Sequence, residues 1–172
     1  MKQTSNYPSL FILTVIFVAG LLASYTEVKS EQIELPGGFK LGSSLDEARQ
    51  HSSSRGWELA QFSPEQPWQW IVEGSAETQI GLFVCGDKVT GVHQYQPGDL
   101  DEFADIVLGF IFSHGQPDIQ VITFMAGGTK ISNVDARFTE FEGLNVNVQL
   151  SSTAGRLGIS TNYFKVGECT EK

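Results

Sequence analysis

Apolar and polar residues alternate without a break along Leu144-Asn145-Val146-Asn147-Val148-Gln149-Leu150. This period of two predicts a strand with one face on a core and the other in water. A different period governs the segment after Gly98. Leu100, Phe103, Ile106, Val107, Phe110 and Ile111 recur at helical spacing and form a broad apolar stripe. Asp99 stands at the cap of that helix, with Glu102 three residues on. His114-Gly115-Gln116-Pro117 ends it, because Gly admits a left-handed cap and Pro cannot continue a helix. The same opening occurs earlier, where Ser44 and Glu47 have the spacing of a capping box. That first helix runs to about Arg55 and stops at Gly56. Its His51–Ser54 stretch is a weak helix former.

The polar stretch that follows, with Pro64 and Pro67, reads as a loop. Extended segments are then predicted at Trp68 to Glu73, Thr78 to Cys85 and Lys88 to Tyr95, the last two joined by a hairpin turn at Gly86-Asp87. After the second helix come Ile119 to Met125, Asn133 to Glu142, Leu144 to Ser151 and Leu157 to Phe164. Turn signals at Gly127-Gly128, Gly143 and Gly155 separate them. The order helix, three strands, helix, four strands predicts an α+β fold. Two helix-plus-antiparallel-strand units, about 39–96 and 97–166, would form a two-layer sandwich with the helices on one face of the sheet.

The N-terminus changes the setting of this domain. Leu10 to Ser24 is apolar apart from Thr14 and Gly20, and Lys2 precedes it. Its 15 residues fit a signal-peptide core, whereas a bilayer span needs roughly 20. Val28-Lys29-Ser30 loosely fits the cleavage site. Residues 1–30 are therefore expected to be a signal peptide, and residues 31–172 a single exported domain, periplasmic or secreted. The competing reading is a signal retained as a membrane anchor. Tyr25 stands where a lipid-modified Cys would follow Leu-Leu-Ala-Ser, so no lipid anchor is expected, nor stable membrane insertion after cleavage. Losing Lys2, Glu27 and Lys29 takes the formal charge from −9 to −10. That sign argues against nucleic acid or an anionic membrane surface, both of which need clustered Lys and Arg. Only two cysteines occur, Cys85 and Cys169, and in an oxidising compartment an even, minimal count predicts one disulfide.

The phrase Phe39-Lys40-Leu41-Gly42-Ser43-Ser44-Leu45-Asp46-Glu47-Ala48 resembles the helix opening of β-lactamase-inhibitor-protein-like modules, a group that includes small lipoproteins of outer-membrane assembly. Gly115-Gln116-Pro117, ahead of a strand, is similar to their helix ending. The resemblance spans about residues 39–125. It implies a protein-binding or scaffold role in the bacterial envelope and brings no catalytic residues with it.

Signs of chemistry are sparse. His51, His93 and His114 show no His-x-x-x-His or Cys-x-x-Cys spacing, so no metal site or cofactor is expected. His114 at a helix C-terminus is explained by the dipole, and only a meeting of His51 with His93 in space would make an acid–base pair. No Gly-x-Ser-x-Gly elbow occurs. Gly127-Gly128-Thr129-Lys130 lacks the first glycine of a phosphate loop and reads as a hairpin turn. Asp101 with Glu102 suits the first turn of a helix, and Glu140 with Glu142 a solvated strand face. Trp68 and Trp70, two residues apart on a strand, share a face. They form either part of the core or a flat patch for a sugar or a protein. The expectation is a non-enzymatic domain that binds another protein, such as an inhibitor or immunity-like factor. The alternative is a glycan or small-ligand module using Trp68 and Trp70, and less favoured is a hydrolase with an unrecognised site.

Overall fold

A computed structural model describes residues 35–75, 78–141 and 143–165. The expected signal, residues 1–30, lies outside them. A short 3-10 turn, Pro36–Gly38, leads to helix α1, Leu45–Ser54. Four strands follow: β1 Glu58–Ser63, β2 Gln66–Glu73, β3 Gln79–Cys85 and β4 Lys88–Pro97. Helix α2, Leu100–His114, precedes β5 Asp118–Ala126, β6 Thr129–Phe141, β7 Leu144–Thr153 and β8 Arg156–Lys165.

All eight strands belong to one antiparallel sheet in the order β1-β2-β3-β4-β8-β7-β6-β5. This corrects the expected sandwich of two helix-plus-strand units. The described residues are dominated by one continuous sheet, and among them only two α-helices rest against it. The fusion is made by β4 and β8, which pair antiparallel from Gly91↔Phe164 to Pro97↔Gly158. Their partnership joins residues about seventy positions apart and leaves no mark on local periodicity. The stretch read as a loop holds the extra strand. Glu58 to Ser63 has too few apolar residues to look like a strand, yet it pairs with β2 from Glu58↔Glu73 to Ser63↔Gln66 at an edge of the sheet. Pro64 is tolerated because it lies in the turn, and Pro67 because it lies at the start of β2.

Both capping boxes form. The Ser44 hydroxyl accepts from the Glu47 N–H at 3.2 Å, while Glu47 accepts from the Ser44 N–H at 2.7 Å. The Asp99 carboxylate accepts from Asp101 and Glu102 N–H at 3.0 and 3.1 Å, and Glu102 accepts from the Asp99 N–H at 3.1 Å. The phrase leading into α1 is tied to the β3–β4 hairpin: the Gly42 N–H donates to the Val89 carbonyl at 2.7 Å, and the Val89 N–H to the Ser43 carbonyl at 2.9 Å. The residues carrying the resemblance thus have a structural task, since Phe39, Leu45 and Ala48 are buried beside Val89. The turns Gly86-Asp87 and Gly127-Gly128 both place two successive residues at positive φ, 52° and 64°, then 55° and 82°. That geometry matches the right-handed twist of the flanking strands.

Strand register sorts the two faces. Trp70, Leu82, Val92, Tyr163 and Val146 lie in one row across β2, β3, β4, β8 and β7, and both helices pack on that side. Beneath α1 are Val72, Ile80, Leu82, Val84 and Val92; beneath α2 are Ala136, Phe138, Val146, Val148 and Ile159. Leu41 and Tyr163 touch both clusters and bridge them. The alternation read along β7 appears directly, with Leu144, Val146, Val148 and Leu150 all buried. Full burial of each such side chain contributes about 1.5–3 kcal/mol. Helix α2 is less deeply seated: Phe103 is buried, whereas Ile106, Val107, Phe110 and Ile111 are half-buried.

Candidate functional site: the open face of the sheet

The opposite face of the sheet carries no helix among the described residues. Its composition follows from the residues between the core positions. One row reads Ile71, Gly81, His93, Asn162, Asn147, Arg137 and Asp118, from β2 across to β5. The next reads Gln79, Tyr95, Ser160, Gln149, Asp135 and Gln120. Side-chain amides therefore run along this face and offer both donors and acceptors.

Two polar groups hold the face in place. His93 Nδ1 lies 2.7 Å from Asn162 Oδ1, on neighbouring central strands. Asp135 is only 3% exposed. Its two carboxylate oxygens accept from Gln149 Nε2 at 2.7 Å and from Arg137 Nη2 at 3.1 Å. A buried carboxylate needs such partners, since an unpaired one costs several kcal/mol. The Arg137 side chain is itself 44% exposed. Part of its charge is thus presented outward beside a neutralised acid.

Toward β1 and β2 the face dips into a cavity of about 380 Å³, lined by Phe62, Gln69, Ile71, Gln79, Phe83, His93 and Asn162 among others. The lining includes no Asp, Glu, Lys or Arg, although the whole chain is strongly acidic. Gly81 contributes floor without a side chain. Beyond it the Phe83 and Phe164 rings lie 5.4 Å apart at the position of Gly91. The volume lies within the range of small-molecule sites, and the mixture of apolar wall and a few polar groups is typical of them.

Several expected residues sit elsewhere. Trp68 and Trp70 do share a face, but it is the helix side. Trp70 is half-buried against the core with the Arg49 guanidinium 5.0 Å from its ring centre, whereas Trp68 is 46% exposed. The two indoles therefore lie in unlike environments: Trp70 also borders the cavity, whereas Trp68 does not line it. His51 and His93 are not brought together. His51 Nε2 is 2.7 Å from the Gly37 carbonyl, with its ring edge-on to Phe39, on the helix side. His114 packs edge-on against Phe110 and Phe138. Asp101 and Glu102 occupy the first turn of α2. Glu142 and the Glu140 side chain lie outside the described residues, as does Cys169, the expected partner of Cys85 at the end of β3. Among the described residues no three His, Cys, Asp or Glu side chains converge as metal ligands would, and no helix is long and apolar enough to cross a membrane.

In the sequence His93 stands out only as a partner for His51, Gln149 only as a polar position of the alternating strand, and Asp135 and Asn162 do not stand out at all. Asn, Gln and Asp at alternate strand positions are the available signal, since such residues are depleted in strands without a reason to be there. No protein-family model, curated protein or solved structure matches this chain.

Proposed function

We propose that this protein is an exported, non-enzymatic binding domain of the bacterial envelope, and that the open face of its sheet receives another protein. The observation that carries this reading is the face itself. A rigid surface of strands presents amides, the half-exposed Arg137 and the Phe83–Phe164 pair, and no helix of the described residues covers it. Amides supply directional hydrogen bonds and aromatics supply contact area, the combination found in interface cores. The resemblance of the Phe39–Ala48 phrase to inhibitor-like and assembly modules points the same way. Net acidity favours a basic partner by speeding encounter, and an inhibitor or immunity-like factor is one form this takes.

A second reading rests on the cavity, whose uncharged lining suits a neutral small ligand such as a sugar. In this form the ligand uses Phe62, Gln79, His93 and Asn162 in place of the paired indoles. One experiment addresses both. The protein is immobilised and exposed to envelope extract at low salt, beside folded Ile71→Arg and Asn147→Arg variants and a Phe112→Ser control. Capture by the parent and the control, with loss of at least about tenfold in the open-face variants, supports the protein-binding reading. Equal capture by all forms, or none by any, overturns it. A thermal shift with neutral sugars that disappears in Asn162→Leu would favour the cavity reading.

A further inference from the structure

The sheet ends in two edge strands, and they are built differently. β1 is six residues long, has a register irregularity between Gln61 and Ser63, abuts Pro64 and is packed by α1. Short length, irregular pairing, proline and a covering helix are the usual means of blunting an edge. β5 has none of them. Its nine residues, Asp-Ile-Gln-Val-Ile-Thr-Phe-Met-Ala, pair with β6 in unbroken register from Asp118↔Arg137 to Ala126↔Thr129. They contain no Pro, Lys or Arg. Because β6 lies on one side and no described strand on the other, the outer side of β5 presents a row of backbone groups that no strand of the described residues pairs. Five of its side chains are large, apolar and exposed, on both faces: Ile119, Val121 at 72% and Met125 at 64% on the helix side, Ile122 and Phe124 on the open side.

We infer that β5 is a self-association edge, where two copies of this chain pair antiparallel about a two-fold axis through Ile122. The strand is self-complementary in that register. Ile122 meets its own mate, Val121 meets Thr123, Gln120 meets Phe124, Ile119 meets Met125 and Asp118 meets Ala126. Each pair falls on one face, as the period of two requires. Like charges directly opposite destabilise a strand pair. The single charge of β5, Asp118, lies at its end and faces an alanine, so a chain of net charge −9 pairs here without local repulsion. Taking about 200 Å² for a large apolar side chain, the five exposed residues present roughly 500 Å² per protomer. Full covering of these side chains in both copies would come to at most about 1,000 Å², the floor for a specific interface, to which the newly paired backbone adds. The product is one sixteen-stranded sheet with both open faces on the same side.

Sedimentation equilibrium of the purified protein over a range of concentrations tests this. The parent is expected to be a dimer, and Ile122→Lys and Val121→Lys to raise its dissociation constant by on the order of a hundredfold. Phe112→Lys, on the outer side of α2, is expected to leave it unchanged. Ile122→Cys reads the register. Its two copies meet at the axis and should form an inter-chain disulfide, whereas Leu157→Cys should not. A monomeric parent overturns the inference, including one whose β5 amides are protected by another part of its own chain or which binds vesicles as a monomer. So does a dimer that survives both lysine substitutions, or one that never forms the Ile122→Cys bridge.

Discussion

Tyr163 stands on the central strand β8, where the two halves of the core meet, and touches both clusters. Burial pushes its phenol from 10.0 up to about 12. Below pH 10 the phenol is neutral in folded and unfolded chains alike, and its stabilising contribution is complete. As pH rises past 10 the unfolded chain ionises first, so that contribution is lost progressively up to about pH 12. The loss amounts to at most about 3 kcal/mol. Tyr163→Phe keeps the ring and removes the proton. Urea midpoints at pH 9 and pH 11.5 should therefore fall less in the variant than in the parent. An equal fall would mean that the hydroxyl is solvated. At this scale the sequence was partly legible. Asn147 and Gln149 stand at polar positions of an alternating strand and do face outward. Nothing local reveals that Asn162 meets His93 or that Asp135 is enclosed by Gln149 and Arg137, because each contact crosses between strands.

Helix α2 shows how capping and packing share the task of holding an element. Most of its apolar stripe is only half-buried, so its N-terminal hydrogen bonds matter more than in a deeply seated helix. Asp99 satisfies two backbone N–H groups there. Asp99→Ala should cost about 1 kcal/mol by chemical denaturation, and Asp99→Ser should recover most of it. An unchanged midpoint would show that α2 is held by packing alone. The corresponding box on α1 depends on pH. Hydrogen bonds from the Ser44 backbone and hydroxyl hold Glu47 below the usual carboxylate range. That support is present above the ordinary value of 4.5 and is lost as acid protonates Glu47. Both helices and seven of the strands were readable from period, caps and turns. β1 was not. Edge strands bury little, so Glu58 to Ser63 needs no strong apolar alternation to pair.

For the whole molecule, the expected Cys85–Cys169 bridge is a proposal about how the C-terminus is held. In the chain-entropy model, closing so long a loop contributes about 4 kcal/mol. Intact mass of the protein alkylated without reduction should show no modified thiol, and reduction should lower Tm. Two alkylated cysteines would refute the bridge. The same scale separates what was legible from what was not. Hydrophobic period, capping residues and glycine turns by themselves determined the kinds and order of every described α-helix and strand but β1, and the apolar side of β7, since each depends on neighbours within a few residues. The fusion of eight strands into one sheet, the placing of Trp70 under Arg49, and the gathering of Phe62, His93 and Asn162 were decided only by tertiary structure. They depend on which strands lie side by side. That is settled by burial summed over the whole chain, as when β4 and β8 pair to bring the clusters under α1 and α2 into contact through Leu41 and Tyr163.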